Sequence, residues 1–222
     1  PDVHKEPAEA LNFAIRACMY SQADACAWLP AYATEVKPDD ETKSKAMAAL
    51  AQACKDKTEQ ACVLQGDLFA QGGLLSDKAP KAAYDLYAAS CSRKYVRACD
   101  RQAAAYAIGF GVAADVNQAT TMWKELCDQQ YTNACVSLAG MYRNQKRYDD
   151  AMPLLLQACD QKFGDACNTA AYGYYSQQGA KWDVIAAGKL YQRACDGGFT
   201  VGCTNVGKLY EFGVGVPADA QQ

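Results

Sequence analysis

The chain has 222 residues, half of them hydrophobic and 21% charged, with a formal net charge of −3 and an isoelectric point near 5.2. A mildly acidic chain without a run of basic residues has no electrostatic footprint for nucleic acid or for an anionic membrane surface, so we expect neither as a partner. The sequence also has no apolar run of the roughly 18 residues that a membrane span needs.

Cysteine is the unusual part of the composition, with twelve residues against a single histidine, His4. The cysteines form six pairs, and seven residues separate the two members of every pair: Cys18 and Cys26, Cys54 and Cys62, Cys91 and Cys99, Cys127 and Cys135, Cys159 and Cys167, and Cys195 and Cys203. The second cysteines follow one another at intervals of 36, 37, 36, 32 and 36 residues. Intervals of this length are typical of solenoids built from helix pairs.

Along the chain, the apolar spacing predicts an alternation of two kinds of helix, here named A and B. Each repeat is expected to have a helix A that opens near the second cysteine of a pair, a loop, and a helix B that ends at the first cysteine of the next pair. We expect twelve helices in one repeat domain over residues 1–222. The predicted segments are a lone B helix at about 6–20, repeats at about 25–60, 61–97, 98–133, 134–165 and 166–201, and a partial repeat at 202–222.

Acidic residues in two loops could be mistaken for catalytic carboxylates. The runs 39–41 and 149–150 each precede a predicted helix, where negative charge favours the helix dipole. We therefore interpret them as residues that start helices. Pro153 is expected in the first turn of its helix, where a missing amide costs no hydrogen bond.

Two loops share a glycine pattern, "GFGVAAD" at 109–115 and "GVGVPAD" at 213–219. Their glycines are expected in non-helical turns, and the aspartate of each is placed to cap the next B helix. Neither loop is interpreted as a phosphate-binding loop, since both lack a preceding strand and a following lysine.

This pattern resembles the Sel1-like repeat, a relative of the tetratricopeptide repeat, over about residues 8–219. The cysteine pairs make it similar to the cysteine-rich, secreted bacterial branch of that family. The resemblance implies an all-α, right-handed α/α superhelical solenoid of helix-turn-helix repeats. The residues that carry it are Tyr106, Gly109, Gly111, Val112, Asp115, Ala119 and Trp123 in one repeat, and Tyr210, Gly213, Gly215, Val216 and Asp219 in another.

Three roles are considered for the cysteines. A zinc site needs clustered cysteines or histidines, and these pairs lie on successive repeats with only His4 as a further ligand. A cysteine nucleophile needs an unpaired thiol beside a base, and neither is available. Disulfide bonding accounts for all twelve, because each bond would join the end of one helix B to the start of the next helix A. We expect six disulfides, no metal and no cofactor.

So many disulfides require an oxidising compartment. We expect a periplasmic or secreted bacterial protein, with the mitochondrial intermembrane space as a lesser alternative. A chain that starts at Pro1 is interpreted as a mature or trimmed form from which a signal peptide has been removed.

By analogy with tetratricopeptide repeats, a partner is expected on the concave face, along one stripe of the A helices. The stripe consists of five positions in each A helix. One lies two residues before the second cysteine of a pair, and the others lie one, five, eight and nine residues after it. Tyr172 and Tyr175 are either binding anchors or space-filling contacts. The candidate binding residues are Asp67, Arg97, Asp100, Asn133, Arg143, Asn168, Tyr172, Tyr175, Lys208 and Glu211, and neighbouring stripe positions include Ala70, Gln71, Ala104 and Ile108.

The function that the resemblance implies is a non-enzymatic scaffold that binds another protein or an extended peptide. It could serve as an immunity or inhibitor protein against a toxic effector, or as an adaptor or host-interaction factor. The alternative is a protein that binds cell-wall muropeptides or β-lactams, with weak penicillin-binding or β-lactamase-like activity. No serine–lysine arrangement that would support hydrolysis is evident in the sequence.

Overall fold

The computed structural model of the protein describes residues 7–20, 22–73 and 75–213, which form twelve α-helices and no strand. His4, Gly215, Val216 and Asp219 lie outside these residues. The prediction of an all-α chain with twelve helices is confirmed for the described part. The helices are α1 (Pro7–Met19), α2 (Ala23–Val36), α3 (Asp40–Lys55), α4 (Glu59–Gln71), α5 (Pro80–Ser92), α6 (Val96–Ile108), α7 (Val116–Asp128), α8 (Thr132–Asn144), α9 (Tyr148–Asp160), α10 (Gly164–Ser176), α11 (Val184–Asp196) and α12 (Thr200–Phe212).

The chain divides into two compact units, Pro1–Ala119 and Thr120–Gln222. In the first unit each helix from α1 to α6 packs against the next, and α1 also contacts α3 while α2 contacts α4. In the second, α8 to α12 pack in succession and α10 contacts α12. Contacts between helices of the same kind in successive repeats are the packing of a solenoid, so that prediction is confirmed. The assignment of a single domain stays a prediction.

All six predicted disulfides are present, and they join each odd-numbered helix to the helix that follows it. Within each pair the two Cα atoms lie between 4.5 and 4.7 Å apart. The first cysteine lies near the end of a B helix and the second in the first turn of the next A helix, as the spacing predicted. The bonds therefore hold the B-to-A turns closed.

These turns repeat one backbone conformation. In the five turns that follow Cys54, Cys91, Cys127, Cys159 and Cys195, the amide of the third residue after the cysteine donates to the carbonyl of that cysteine. The next amide donates to the carbonyl of the residue that precedes the cysteine. The last carbonyls of helix B are thereby satisfied. In five turns the third residue has a φ between 64° and 81°: Lys57, Lys94, Gln130, Lys162 and Gly198.

The acidic loops start helices, as predicted. Asp39 Oδ1 accepts a hydrogen bond of 2.8 Å from the amide of Thr42 at the start of α3, and Asp115 Oδ1 accepts one of 2.9 Å from the amide of Gln118 in α7. Residues 149–150 lie in the first turn of α9. The prediction for Pro153 is wrong, because α9 already begins at Tyr148 after a short connection and Pro153 lies inside the helix.

The glycines of the 109–115 loop adopt the turn conformation that was predicted, with a φ of 71° at both Gly109 and Gly111. A Cβ atom on Gly111 would lie 2.1 Å from the carbonyl oxygen of Pro80, at the start of α5. The loop after α6 therefore lies directly against the backbone at the N-terminus of α5. Among the described residues, none of the helices combines the length and apolar character that crossing a membrane requires.

The six disulfides differ in how far solvent reaches them. Cys203 is exposed and Cys195 is half-buried, whereas both cysteines of the Cys159–Cys167 bond are buried and the Arg193 guanidinium donates to the Cys159 carbonyl at 3.0 Å. We expect Cys195–Cys203 to be the first bond reduced under limiting reductant, because a thiolate must reach a sulfur atom to attack it. Alkylation after partial reduction, followed by peptide mapping, measures the order. Equal labelling of all six pairs would contradict this expectation.

Candidate functional site

Five residues of the predicted binding stripe line one pocket in the first unit. They come from the two A helices α4 and α6, which present the same stripe positions to the pocket. The pocket has a volume of about 310 Å³. The stripe residues are Asp67, Ala70, Gln71, Ala104 and Ile108, and the remaining lining residues are Tyr87, Arg101, Ala105 and Phe110.

A glycine on α4 explains how Tyr87 reaches this pocket from α5. A Cβ atom on Gly66 would lie 2.5 Å from Cε1 of the Tyr87 ring, so only glycine lets the ring pack this closely. The ring is almost fully buried, with 3% of Tyr87 exposed, and its hydroxyl donates a hydrogen bond of 2.8 Å to Oδ1 of Asp67. Tyr87 is therefore a core residue that also fixes the carboxylate of the pocket.

Two arginines of α6 share that carboxylate. Arg101 Nε donates to Asp67 Oδ1 at 2.9 Å, and Arg97 Nη2 lies 3.6 Å from Asp67 Oδ2. The Asp67 side chain is 14% exposed, whereas those of Arg97 and Arg101 are 56% and 41% exposed. Two guanidinium groups therefore surround one shielded carboxylate, and both remain accessible from outside.

Tyr87 and Arg101 both have raised pKa values in this network. Burial raises the pKa of the Tyr87 hydroxyl well above its usual range, and the neighbouring Asp67 carboxylate raises it further. The phenol therefore stays protonated and can only donate to Asp67. Burial is the largest effect on Arg101 and opposes its charge, but the combined effects of Asp67, Tyr87 and Asp100 exceed it, so the pKa of Arg101 is raised. The network is an ion pair with a neutral donor, which suits recognition rather than proton transfer.

The candidate tyrosines of the second unit lie on α10, near Tyr191 of α11. Tyr172 and Tyr175 are 46% and 45% exposed, and both lie close enough to Tyr191 of α11 to affect its titration. Burial raises the pKa of Tyr191 to about 12, with smaller contributions from the two tyrosines. Each therefore has one part near a buried ring and another part in solvent.

Other candidate residues are placed in different ways. Asn168 Oδ1 accepts a hydrogen bond of 2.8 Å from Asn205, and Asn133 is exposed. Arg143 lines a small cavity of about 10 Å³ between α9 and α10, while Asp100 is almost buried and has interactions of its own. Lys208 and Glu211 are exposed on α12. Their part in binding stays a prediction.

Arg101 was missed by the sequence analysis, although it pairs with Asp67. It lies two residues after the second cysteine of its pair, a position outside the predicted stripe, and 34 residues from Asp67. No sequence signal marked this position, but the structure shows the same use of it elsewhere: Asn205 occupies it in a later repeat and also contacts a residue of the preceding A helix. This position therefore serves as a bridge between successive A helices in both units.

Neither a protein-family model nor a curated protein matches the sequence. Solved structures do match the fold. A Sel1 repeat protein from Oxalobacter formigenes aligns with a TM-score of 0.72 at 19% identity, over 81% of this chain and 74% of its own.

A protective antigen present in uropathogenic Escherichia coli strains, which displays an SLR fold, gives a TM-score of 0.73 at 18% identity over 95% of this chain. The alignment covers 46% of the antigen, so this chain spans about half its length. An immunity protein from Pseudomonas aeruginosa gives 0.58 at 18% identity, over 85% of this chain and 71% of the immunity protein. The chain therefore has the fold of Sel1-like repeat proteins.

Proposed function

We propose that this protein is a non-enzymatic interaction scaffold that binds another protein or an extended peptide along its A helices. The observation that carries the proposal is the pocket between α4 and α6, in which an ordered polar network lies next to exposed apolar surface. Such a combination of fixed charge and apolar area is common where proteins bind partners. The six disulfides support a location in the periplasm or outside a bacterial cell, where such bonds form and persist.

A narrower proposal is that the partner is a toxic effector and that this chain is its immunity protein or inhibitor. The likeness in fold to the immunity protein from Pseudomonas aeruginosa supports it. An adaptor or host-interaction role uses the same kind of surface, because repeat scaffolds accept many partners.

The test begins with the oxidised protein as bait in an envelope extract of its source cell. A captured protein is then purified separately, and its binding to the native chain is measured by calorimetry. Protection of cells that express the partner would support the immunity role, and binding without protection would support an adaptor. Failure to form a complex from purified components would reject the captured partner, and failure with every candidate would contradict the scaffold.

We expect the double variant Tyr172→Ala, Tyr175→Ala to bind the purified partner about tenfold more weakly, because half-exposed tyrosines are frequent energetic anchors of interfaces. The matched control is Tyr20→Ala, which removes a tyrosine that is 82% exposed in the first unit. Calorimetry measures the affinities, and circular dichroism confirms that the variants fold. Unchanged affinity of the double variant would show that these tyrosines only fill space beside Tyr191.

A muropeptide or β-lactam ligand is the competing proposal, and the pocket volume of about 310 Å³ is at the lower end for small-molecule sites. All twelve cysteines are in disulfides, so none is available as a nucleophile. We therefore favour binding over turnover for such a ligand, and a β-lactam hydrolysis assay discriminates between them.

A further inference from the structure

We propose that the pocket of the first unit binds an extended protein segment that carries an acidic residue at one end and a large apolar residue about three to five positions away. This inference rests on the proposed scaffold function and specifies the chemistry of the partner. It follows from the arrangement of side chains along α6 and from the charges around Asp67.

One face of α6 presents a polar end and an apolar end. Arg97, Arg101 and Ile108 are separated by four and seven residues, a spacing that places all three on the same side of a helix. Arg101 and Ile108 both line the pocket, with Ala104 between them. A ligand lying along this face would contact guanidinium groups first and aliphatic surface last.

The apolar end has room for a side chain. Ala70, Ala104 and Ala105 line the pocket with small groups, and Phe110 and Ile108 add larger apolar surface. Ile108 is 77% exposed, which is a large fraction for an isoleucine. Covering this surface with an apolar residue of a partner would remove it from water, and that is a favourable change.

The polar end favours negative charge. Arg97 and Arg101 together carry one positive charge more than the Asp67 carboxylate that they share, and the Asp100 carboxylate, which also acts on Arg101, is almost fully buried and away from a ligand on the surface. The acceptor positions of Asp67 are occupied by Tyr87 and the two arginines, so Asp67 has little capacity to attract a cation. Arg97 holds only a long 3.6 Å contact and is the group most available to a partner's carboxylate.

The separation between the two ends argues for a polypeptide rather than a small molecule. Ile108 lies seven positions from Arg101 and eleven positions from Arg97 on α6, which corresponds to about 10 and 16 Å along the axis. An extended chain covers these distances with about three to five residues. A compact ligand at one end of this face would not reach the other end.

The test selects random peptides displayed on phage against the immobilised, oxidised protein. We expect the enriched peptides to share an acidic residue and a large apolar residue at the stated spacing. A synthetic peptide from the selection should bind about tenfold more weakly when its acidic residue is replaced by the amide, since that replacement removes a charge-assisted hydrogen bond. Fluorescence anisotropy measures the affinity, and added salt should weaken it.

Two variants test the site, each with a matched control. Ile108→Glu and Arg97→Glu change exposed side chains and should each weaken binding of the selected peptide by about tenfold or more. The controls are Ile185→Glu, at an isoleucine that is 58% exposed in the second unit, and Lys124→Glu, an exposed charge reversal on α7. The control variants should bind like the native protein.

Several results would overturn the proposal. The enriched peptides would contradict it if they were basic or lacked the stated spacing, and so would a selection without enrichment above background. Site variants that bind as tightly as their controls would also contradict it. Self-association lost in Ile108→Glu would identify a second copy of this chain as the occupant instead. If a natural partner binds but ignores both site variants, this inference fails while the scaffold function stands. If the peptide binds at this site but no protein partner exists, the scaffold function fails.

Discussion

Reduction of all six disulfides should leave the protein unfolded, or close to unfolded, at room temperature. Each bond closes a loop of nine residues and is worth about 2–3 kcal/mol in the chain-entropy model. Each unit contains three such bonds, while the free energy of unfolding of a whole domain is only about 5–15 kcal/mol. Thermal unfolding followed by circular dichroism, with and without reductant, measures the loss.

A single pair provides the quantitative control. The double variant Cys91→Ser, Cys99→Ser removes one bond of the first unit and should lower the free energy of unfolding by about 2–3 kcal/mol. The intact mass of the native chain should also lie about 12 Da below that of the reduced chain, because each disulfide lacks two hydrogen atoms. A reduced chain that melts within a few degrees of the native one would show that helix packing alone stabilises the fold.

Gly111→Ala should be among the most destabilising single substitutions in the first unit, with a loss of about 3 kcal/mol or more. The new Cβ would lie 2.1 Å from the carbonyl oxygen of Pro80, and backbone atoms at the start of a helix cannot rotate away. The φ of 71° adds its own cost, since a side chain is unfavourable in that region.

Gly198→Ala separates these two effects. Gly198 has a similar φ of 81°, but a Cβ atom there would meet nothing within 4 Å. We expect a loss of only about 1 kcal/mol from the backbone conformation alone. Denaturant unfolding of both variants measures the difference, and equal losses would mean that the contact with Pro80 is readily relieved. Because α5 carries Tyr87, Gly111→Ala should also weaken peptide binding to the pocket.

The sequence predicted the fold well because its strongest signals act over short distances. The spacing within each cysteine pair determines a turn of known length, and Asp39 and Asp115 cap helices a few residues away. The placement of Pro153 failed because the helix start depends on how tightly α8 connects to α9. The interval of 32 residues in this repeat indicated a short connection but not the residue at which α9 begins.

The candidate site was predicted only in part, for a related reason. The stripe rule identified Asp67 and Ile108 because it describes a single helix. It missed Arg101 and the second role of Tyr87, since both depend on side chains that reach across to another helix. Gly66 makes the Tyr87 contact possible, and its importance is visible only when the two helices are placed together.

The B-to-A turns adopt the same backbone shape whether the residue at positive φ is lysine, glutamine or glycine. The helices and the cysteines therefore determine that shape, even though a side chain at positive φ carries a cost. The charge and polarity of this edge can thus differ from one repeat to the next without a change in how neighbouring helices meet.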